Sequence, residues 1–593
     1  AALKDADLVI EAIYEDEKAK GELFAKLETV CPQKTIFASN TSSLSVEKLA
    51  KSAGRPDRFV GLHFFFHPVK NRLVEVVPIE TTAPETLKRV LRYCRSLGKI
   101  PIETKDAAGF AVNRFFVPWL NEAVRLLEQG IADIPTIEEA AKRSFGIGMG
   151  PFGLMNATGV PIALHAAAGL GRALGHFYDP AKKLKEQGES NKDWPLEGKA
   201  DESKLKKVSD RLQGVVFAIA GCIAEEGVAT REDIDRGAKI GLRWAKGPFE
   251  MMNAAGLKHA AHRVQRICDK YGVKFPMSLR KTETWKLSLV DLAVENGVAK
   301  IVLNRPEAMN ALNVELVRQF SRRLREAQHA AGARVITIEG RGKAFMAGAD
   351  IKFFVDSIEK NDLDAIQAFT EAGQRLLCAI EASIKPVVAL IDGPALGGGT
   401  ELALACRWRV VSPKAMFRLP ETSLGIYPGL GGTQRLARRI GKRLARYFVF
   451  AGAPMPAQLA YDLGVADAIC PADEFDAAVA KLLESGPPAK RELAEDVVKI
   501  RDIFSKENVV KFLAGEFGDS KDPLLAKAAK GISRGAPVAL KIADELIEEG
   551  LELELPEGLA LELSRIKEIF KTSDAKEGLS AMLEGRRPKF QGK

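Results

Sequence analysis

The heptapeptide Gly150-Pro-Phe-Gly-Leu-Met-Asn156 returns 97 residues later as Gly247-Pro-Phe-Glu-Met-Met-Asn253. The same offset carries Glu128, Gly130 and Ile137 onto Glu225, Gly227 and Ile234. Around both copies the apolar residues follow a helical period. A chain that repeats itself over such a span must build one supersecondary unit twice and stack the two. The middle of this chain is therefore expected to hold two tandem all-α units, residues 106–190 and 203–275, joined by the polar stretch KEQGESNKDWPLEGKADESK. Whatever lies on either side must be a separate piece of architecture.

Both flanks read differently. Residues 1–105 alternate short apolar runs (LVIEAI, TIFASN, FVGLHFFF, LVEVVPI) with amphipathic stretches such as EDEKAKGELFAKLETV, which predicts a parallel α/β sheet. A second linker, 275–287, leads into residues 288–593. There strands and glycine-rich turns alternate with helices as far as residue 470, and amphipathic helix follows. At 593 residues the chain needs several cores. The expected class is α/β plus all-α.

Charge and cysteine usage narrow the partners. A net charge of +9 is spread along the chain with no arginine- or lysine-rich block. That suits a polyanionic small molecule and argues against nucleic acid. The seven cysteines (31, 94, 222, 268, 378, 406, 470) form no CxxC pair, which predicts reduced thiols and a cytoplasmic location. The uncharged window Ser144–Gly171 is long enough to cross a bilayer, but its seven glycines and two prolines make it a turn region, and no membrane insertion is expected.

Two glycine-rich motifs compete for attention. Gly148-Met-Gly-Pro-Phe-Gly153 satisfies GxGxxG, yet no strand precedes it, Pro151 sits inside it, and its repeat partner keeps one of the three glycines. It is read as a helix-to-helix turn rather than a dinucleotide loop. In DGPALGGGTEL (392–402) an apolar strand runs into three glycines and then an apolar helix. Such a junction brings backbone N–H groups and a helix N-terminus close to a ligand, and Glu401 follows directly. Twenty residues on, Glu421 follows another strand in FRLPE.

These motifs, with KAFMAGADIK before them, GIYPGLGGTQRL after them and the closing EGLSAMLEGRRPKF, resemble the crotonase (enoyl-CoA hydratase/isomerase) family over residues 288–593. The resemblance implies a spiral ββα domain with C-terminal helices and a coenzyme A thioester as substrate. It implies that the N–H groups of Ala349 and Gly398 form an oxyanion hole. Glu401 and Glu421 would share one water, one as base and one as acid, with Gly429 orienting that water through its backbone.

The first half has its own likeness. GLHFF and LVEV, with FASNTSS (37–43) and DAAGFAVNR (106–114), resemble the L-3-hydroxyacyl-CoA dehydrogenase family over residues 1–270. The resemblance implies a partial Rossmann-type domain (1–105) followed by two copies of the family's helical C-terminal unit. It assigns His63 as base and Glu75, twelve residues on, as its partner. Ser42 and Asn113 would hydrogen-bond the substrate, and Glu15, Lys20 and Asn40 would line the nicotinamide side of NAD. The family's HFFNP stands here as His63-Phe-Phe-Phe-His67-Pro68, so the asparagine is lost. The family's strand–GxGxxG–helix is absent from residues 1–105, so the chain is expected to be an N-terminally truncated copy that lacks the NAD pyrophosphate loop and binds NAD weakly or not at all.

A metal pair at His63 and His67 would need both on one helix face. Three phenylalanines and a following proline predict strand and loop, so no metal is expected. The joint reading is a bifunctional enzyme, dehydrogenase-first in order, that hydrates a short-chain trans-2-enoyl-CoA such as crotonyl-CoA and oxidises the product with NAD. The alternatives are a chain whose hydratase alone works, and a non-catalytic thioester-binding or assembly module. A homo-oligomer is compatible with either.

Overall fold

The computed structural model describes residues 3–487 and 492–593. The chain divides after Leu287 into two compact units.

Unit 1 opens with a five-stranded sheet whose spatial order is the chain order: β1 (Leu8–Glu11), β2 (Ile36–Ser39), β3 (Phe59–Phe64), β4 (Leu73–Pro78) and β5 (Ile100–Glu103). Helices Glu17–Val30 and Val46–Ala53 make the crossovers between the first three strands, which are parallel. The first of these helices starts where the Asp16 side chain accepts from Ala19 N, and the second stops at Gly54, φ 70°. The sheet is not wholly parallel as the alternation suggested. β4 runs antiparallel to β3, and β5 is parallel to β4. The segment between β3 and β4 is too short for a crossover helix, so the chain can only turn back on itself.

The helical remainder of unit 1 shows the repeat in three dimensions. Helices Val112–Glu128, Ile134–Phe145, Pro151–Thr158 and Val160–Leu174 correspond to Leu205–Glu225, Arg231–Arg236, Pro248–Ala255 and Leu257–Tyr271. The likeness extends beyond the sequence motif. Glu138 accepts from the N–H groups of Gly150, Phe152 and Gly153 at 3.1, 2.7 and 3.3 Å. At the repeat position, Asp235 accepts from Phe249 and Glu250 at 2.7 and 3.0 Å. Each unit also ends on the same latch. Asn156 pairs with the backbone of Trp194, and Asn253 with that of Trp285, through two bonds of 2.8–2.9 Å each. Both indoles stand edge-on to the phenylalanine of the motif, at 5.1 and 5.2 Å.

The GxGxxG stretch is the helix-to-helix turn its context predicts. Gly146 (φ 63°) ends one helix and Pro151 opens the next, while a Cβ at Gly150 would sit 2.7 Å from the Glu138 carboxyl. The second copy departs from the first beyond Arg236, where it widens into a π-helical turn, Gly237–Gly241. That turn abuts the sheet. The Asn71 side chain donates to Gly241 O at 2.9 Å, and Cβ atoms at Gly241 and Gly237 would lie 2.5 Å from Leu73 and Val112.

Unit 2 stacks two sheets. The larger has the order Ala468–Ile469, Trp408–Val411, Val387–Ile391, Val335–Gly340, Val298–Leu303 and Val290–Glu295, with only the last pair antiparallel. Strands 335–340 and 387–391 each lead into a short strand of the second sheet (Met346–Ala347, Pro394–Leu396) and then a helix (Ile351–Glu359, Gly398–Ala405). Repetition of that ββα step winds the spiral. Helices Pro537–Gly550, Leu555–Ser564 and Ser573–Glu584 close the unit, their apolar faces joining its main core. Among the described residues, no helix is long and apolar enough to cross a membrane.

Because Glu138 satisfies three N–H groups that a helix start leaves unpaired, Glu138→Ala should cost unit 1 about 2–4 kcal/mol, read from the urea midpoint of its unfolding.

Candidate active sites

In unit 1 the register of β3 and β4 sets His63 directly across from Glu75, so the two side chains share a face. Their contact, Nδ1 to Oε2, is 2.7 Å, with His63 7 % exposed and Glu75 fully buried. The other carboxylate oxygen accepts from the N–H groups of Ala111 and Val112 at 3.1 and 2.9 Å, at the start of helix Val112–Glu128. Every one of these contacts is a donor to Glu75. The carboxylate therefore holds the proton of His63 on Nδ1 and leaves Nε2 free to accept another. His67 takes no part: it lies beyond the end of β3, where its Nδ1 faces Val69 N at 3.3 Å.

A cavity of about 580 Å³ opens beside the sheet, and Glu15, Ser42 and Asn113 line it. Glu15 and Ser42 are joined: Glu15 Oε1 accepts from Thr41 Oγ1 (2.6 Å), Ser42 N (2.8 Å) and Ser43 N (3.1 Å). Burial works to raise the pKa of Glu15, but the bonds from Thr41 and Ser42 and the nearby charge of Lys20 outweigh it and hold the group below its usual value. Asn40 follows β2 directly, and its side-chain oxygen accepts from Phe64 N at 2.9 Å. Lys20 is not brought to the cavity wall. Its ammonium is 1 % exposed and ion-paired to Glu11 at 2.6 Å and to Glu15 at 3.4 Å, so it reaches the cavity only through Glu15. The far wall comes from helix Val160–Leu174, through residues such as Ile162, His165 and Ala166.

In unit 2 the parallel pairing Ala347↔Leu396 closes the two strands, and a Cβ built at Gly348, the residue before Ala349, would lie 3.7 Å from Gly398 N. The amides flanking Ala349 are occupied: Leu312 N donates to Gly348 O, and Asp350 N to Leu312 O, both at 2.8 Å. Gly398 opens its helix, where N–H groups have no intrahelical acceptor. The two glutamates have unlike surroundings. Glu401 Oε1 accepts from Leu430 N at 2.7 Å and Gly432 N at 2.8 Å. Glu421 Oε2 is buried without a partner, and a Cβ at Gly397, which holds φ 50°, would lie 2.5 Å from its other oxygen. Burial pushes Glu401 up to about 7 against the pull of the two amides and Arg435. Burial and then the charge of Glu401 hold Glu421 well above the usual carboxylate range. The carbonyl of Gly429 accepts from the Gln374 side chain at 3.0 Å.

Sequence reasoning missed Glu562. It is fully buried on helix Leu555–Ser564 and reaches the same turn as Glu401. A lone acid within the apolar run GLALEL was the available signal. Among the described residues there is no cluster of three metal-ligating side chains, and the seven cysteines form no disulfide.

A ββα spiral with the carboxylates of Glu401 and Glu421 buried within it is the architecture of the crotonase class. Residues 298–593 match the sequence model of the enoyl-CoA hydratase/isomerase family, and the chain belongs to that family. Residues 1–107 match the NAD-binding domain of 3-hydroxyacyl-CoA dehydrogenase, and 109–193 and 208–292 each match its C-terminal domain. A probable enoyl-CoA hydratase of Bacillus subtilis is 34% identical over 306 residues, which is 52% of this chain and 100% of that protein. A fatty acid oxidation complex subunit alpha of Shewanella loihica is 33% identical over 307 residues, 46% of this chain and 43% of that protein. The chain thus spans less than half of that longer relative. The crystal structure of an enoyl-CoA hydratase from Rhodobacter sphaeroides is 27% identical with a TM-score of 0.46, covering 51% of this chain and 93% of that one.

Glu75→Ala would strand His63 Nδ1 and two buried amides. It should destabilise unit 1 by about 2–4 kcal/mol in chemical denaturation, while Glu75→Gln, which keeps an acceptor, should cost less.

Proposed function

We propose that this chain hydrates trans-2-enoyl-CoA to (S)-3-hydroxyacyl-CoA in unit 2 and oxidises that product to the 3-ketoacyl-CoA in unit 1. The observation carrying the first half is the unlike bonding of Glu401 and Glu421. Two neighbouring acids in different protonation states are what addition of water across a double bond requires.

Glu401, with two N–H donors on one oxygen, is the base. It takes a proton from water as the water oxygen bonds to C3. Glu421, whose free oxygen suits a protonated carboxyl, gives its proton to C2. The amides of Ala349 and Gly398 hold the thioester oxygen as negative charge gathers on it, a contribution of about 3 kcal/mol per donor. Gly429, next to the amides that hold Glu401, aligns the water through its backbone.

In unit 1, His63 Nε2 takes the proton of the C3 hydroxyl, and Glu75 stabilises the imidazolium that forms. Ser42 and Asn113 hold the substrate. Residues 1–107 match an NAD-binding domain, and Glu15 and Asn40 follow the carboxyl ends of β1 and β2, the side on which dinucleotides lie across a parallel sheet. These two residues fit the nicotinamide end, with Lys20 acting through Glu15. NAD, when bound, accepts the hydride from C3. No strand–GxGxxG–helix occurs within residues 1–107, so the pyrophosphate is assigned to no residue here. A short-chain substrate such as crotonyl-CoA is the proposed one, by analogy with other dehydrogenase-first fusions. The seven unbridged cysteines favour a reducing, cytoplasmic setting.

Glu401→Gln and Glu421→Gln should each slow crotonyl-CoA hydration by about 10²- to 10⁴-fold, followed by loss of enoyl-thioester absorbance. Parent-like rates in both would remove the dyad. The hydration rate should rise with pH as Glu401 sheds its proton near pH 7 and fall again where Glu421 ionises, giving a bell. His63→Gln should abolish NADH formation from (S)-3-hydroxybutyryl-CoA and leave hydration at the parent rate. Hydration with no NADH from the parent would leave a hydratase alone.

A further inference from the structure

The reaction uses two of three buried carboxylates at the centre of unit 2. The third, Glu562, grips the turn that holds Glu401. Its Oε1 accepts from Gly431 N at 2.6 Å and from Gln374 Nε2 at 3.1 Å, and its Oε2 accepts from the Thr433 hydroxyl. Glu401 takes the interleaved amides, Leu430 N and Gly432 N. Residues 430 to 433 therefore point donors alternately at Glu401 and Glu562. The grip extends back along the chain. The Gln374 amide that meets Glu562 also donates to Gly429 O, and the Tyr427 hydroxyl donates to the main-chain carbonyl of Glu562 at 2.6 Å. Residues 427, 429, 431 and 433 are thus tied to Glu562 directly or through Gln374.

We propose that Glu562 is a positioning residue of the hydration site: it fixes the Tyr427–Thr433 turn so that the Leu430 and Gly432 amides meet Glu401. The inference rests on the hydratase reading and adds a residue to it. All three contacts to its side chain are donors, so the arrangement is built for an acceptor. The charged and titratable groups facing it are Glu401 on helix Gly398–Ala405, Glu421 on the turn Glu421–Leu424, Arg435 on helix Gly432–Ile440, and Tyr427. Arg435 is the one cation among these four, and it is shared: its Nη1 donates to Leu430 O at 3.0 Å and its Nη2 pairs with Glu381 at 3.1 Å. Burial and then the charge of Glu401 push Glu562 up to about 8, against the bonds from Thr433 and Gly431. Two buried acids sharing one cation titrate as a set.

The test uses Glu562→Ala and Glu562→Gln in the full chain. Hydrogen exchange at residues 427–433, followed by mass spectrometry, reads the turn without reference to activity. Glu562→Ala should exchange faster there, and Glu562→Gln, which keeps an acceptor, should stay near the parent. In hydration assays Glu562→Ala should lose about tenfold or more in kcat with KM changed far less. Glu562→Gln should hold kcat within about threefold of the parent, because an acceptor for the turn remains. A folded Glu562→Gln that loses as much kcat as Glu562→Ala overturns the proposal, as does parent-like exchange in Glu562→Ala. If Glu562→Ala does not fold, Glu562→Asp, whose shorter side chain withdraws the acceptor, takes its place: faster exchange at residues 427–433 supports the role and parent-like exchange removes it. If the parent hydrates nothing, the hydratase reading fails separately and exchange alone decides: faster in Glu562→Ala supports the positioning role, unchanged removes it.

Discussion

A carboxylate buried against the unpaired N–H groups of a helix start or tight turn is the contact on which both units depend. Glu75 takes the first amides of helix Val112–Glu128, Glu138 those of Pro151–Thr158, and Asp235 those of Pro248–Ala255. The half-buried Asp106 plays a similar part for Val46–Ala53, accepting from Val46 N and Glu47 N at 3.0 and 2.9 Å. In unit 2, Glu401 and Glu562 divide the turn before helix Gly432–Ile440. The physics is common to all. A helix leaves four N–H groups without partners, burial makes each costly, and one carboxylate satisfies two or three while its charge sits at the positive end of the dipole.

The same contact also prepares chemistry. Glu75 spends one oxygen on helix amides and the other on His63, so the imidazole is aimed by the packing of a helix against a sheet. Glu401 is held by amides while Glu421 is left with a bare oxygen, so two neighbouring carboxylates meet unlike surroundings. Charge neutralisation is scarce at both places. Local backbone dipoles do the stabilising, and they cost no reorganisation when charge moves.

Much of this was legible in the residues. The repeat gave the helical units, strand periodicity gave β1 to β4, and the position of Glu401 after three glycines placed it at a helix start. The GxGxxG stretch was recognisable as a turn because nothing strand-like precedes it. The direction of β4 was readable from the length of its link to β3, but alternation of strand and helix says nothing about direction. Lys20 illustrates a different limit: the family resemblance assigns it to the cofactor side, while its burial between Glu11 and Glu15 depends on how a helix docks on the sheet. Glu562 is the plainest case. Its partners, Gly431 N, the Gln374 side chain and the Thr433 hydroxyl, lie more than a hundred residues away, and pairing over that distance leaves no local pattern in a sequence.

The π-helical turn at Gly237–Gly241 turns the duplication from redundancy into mechanical support. Widening the helix there lets its glycines lie flat against Leu73 and Val112, the residues that begin β4 and the helix capped by Glu75. The second copy therefore acts as a buttress under the two elements that meet at Glu75. A copy freed from repeating its twin's contacts has kept its fold and changed its load. Any added bulk at these two glycines presses on the strand and helix whose meeting at Glu75 aligns His63.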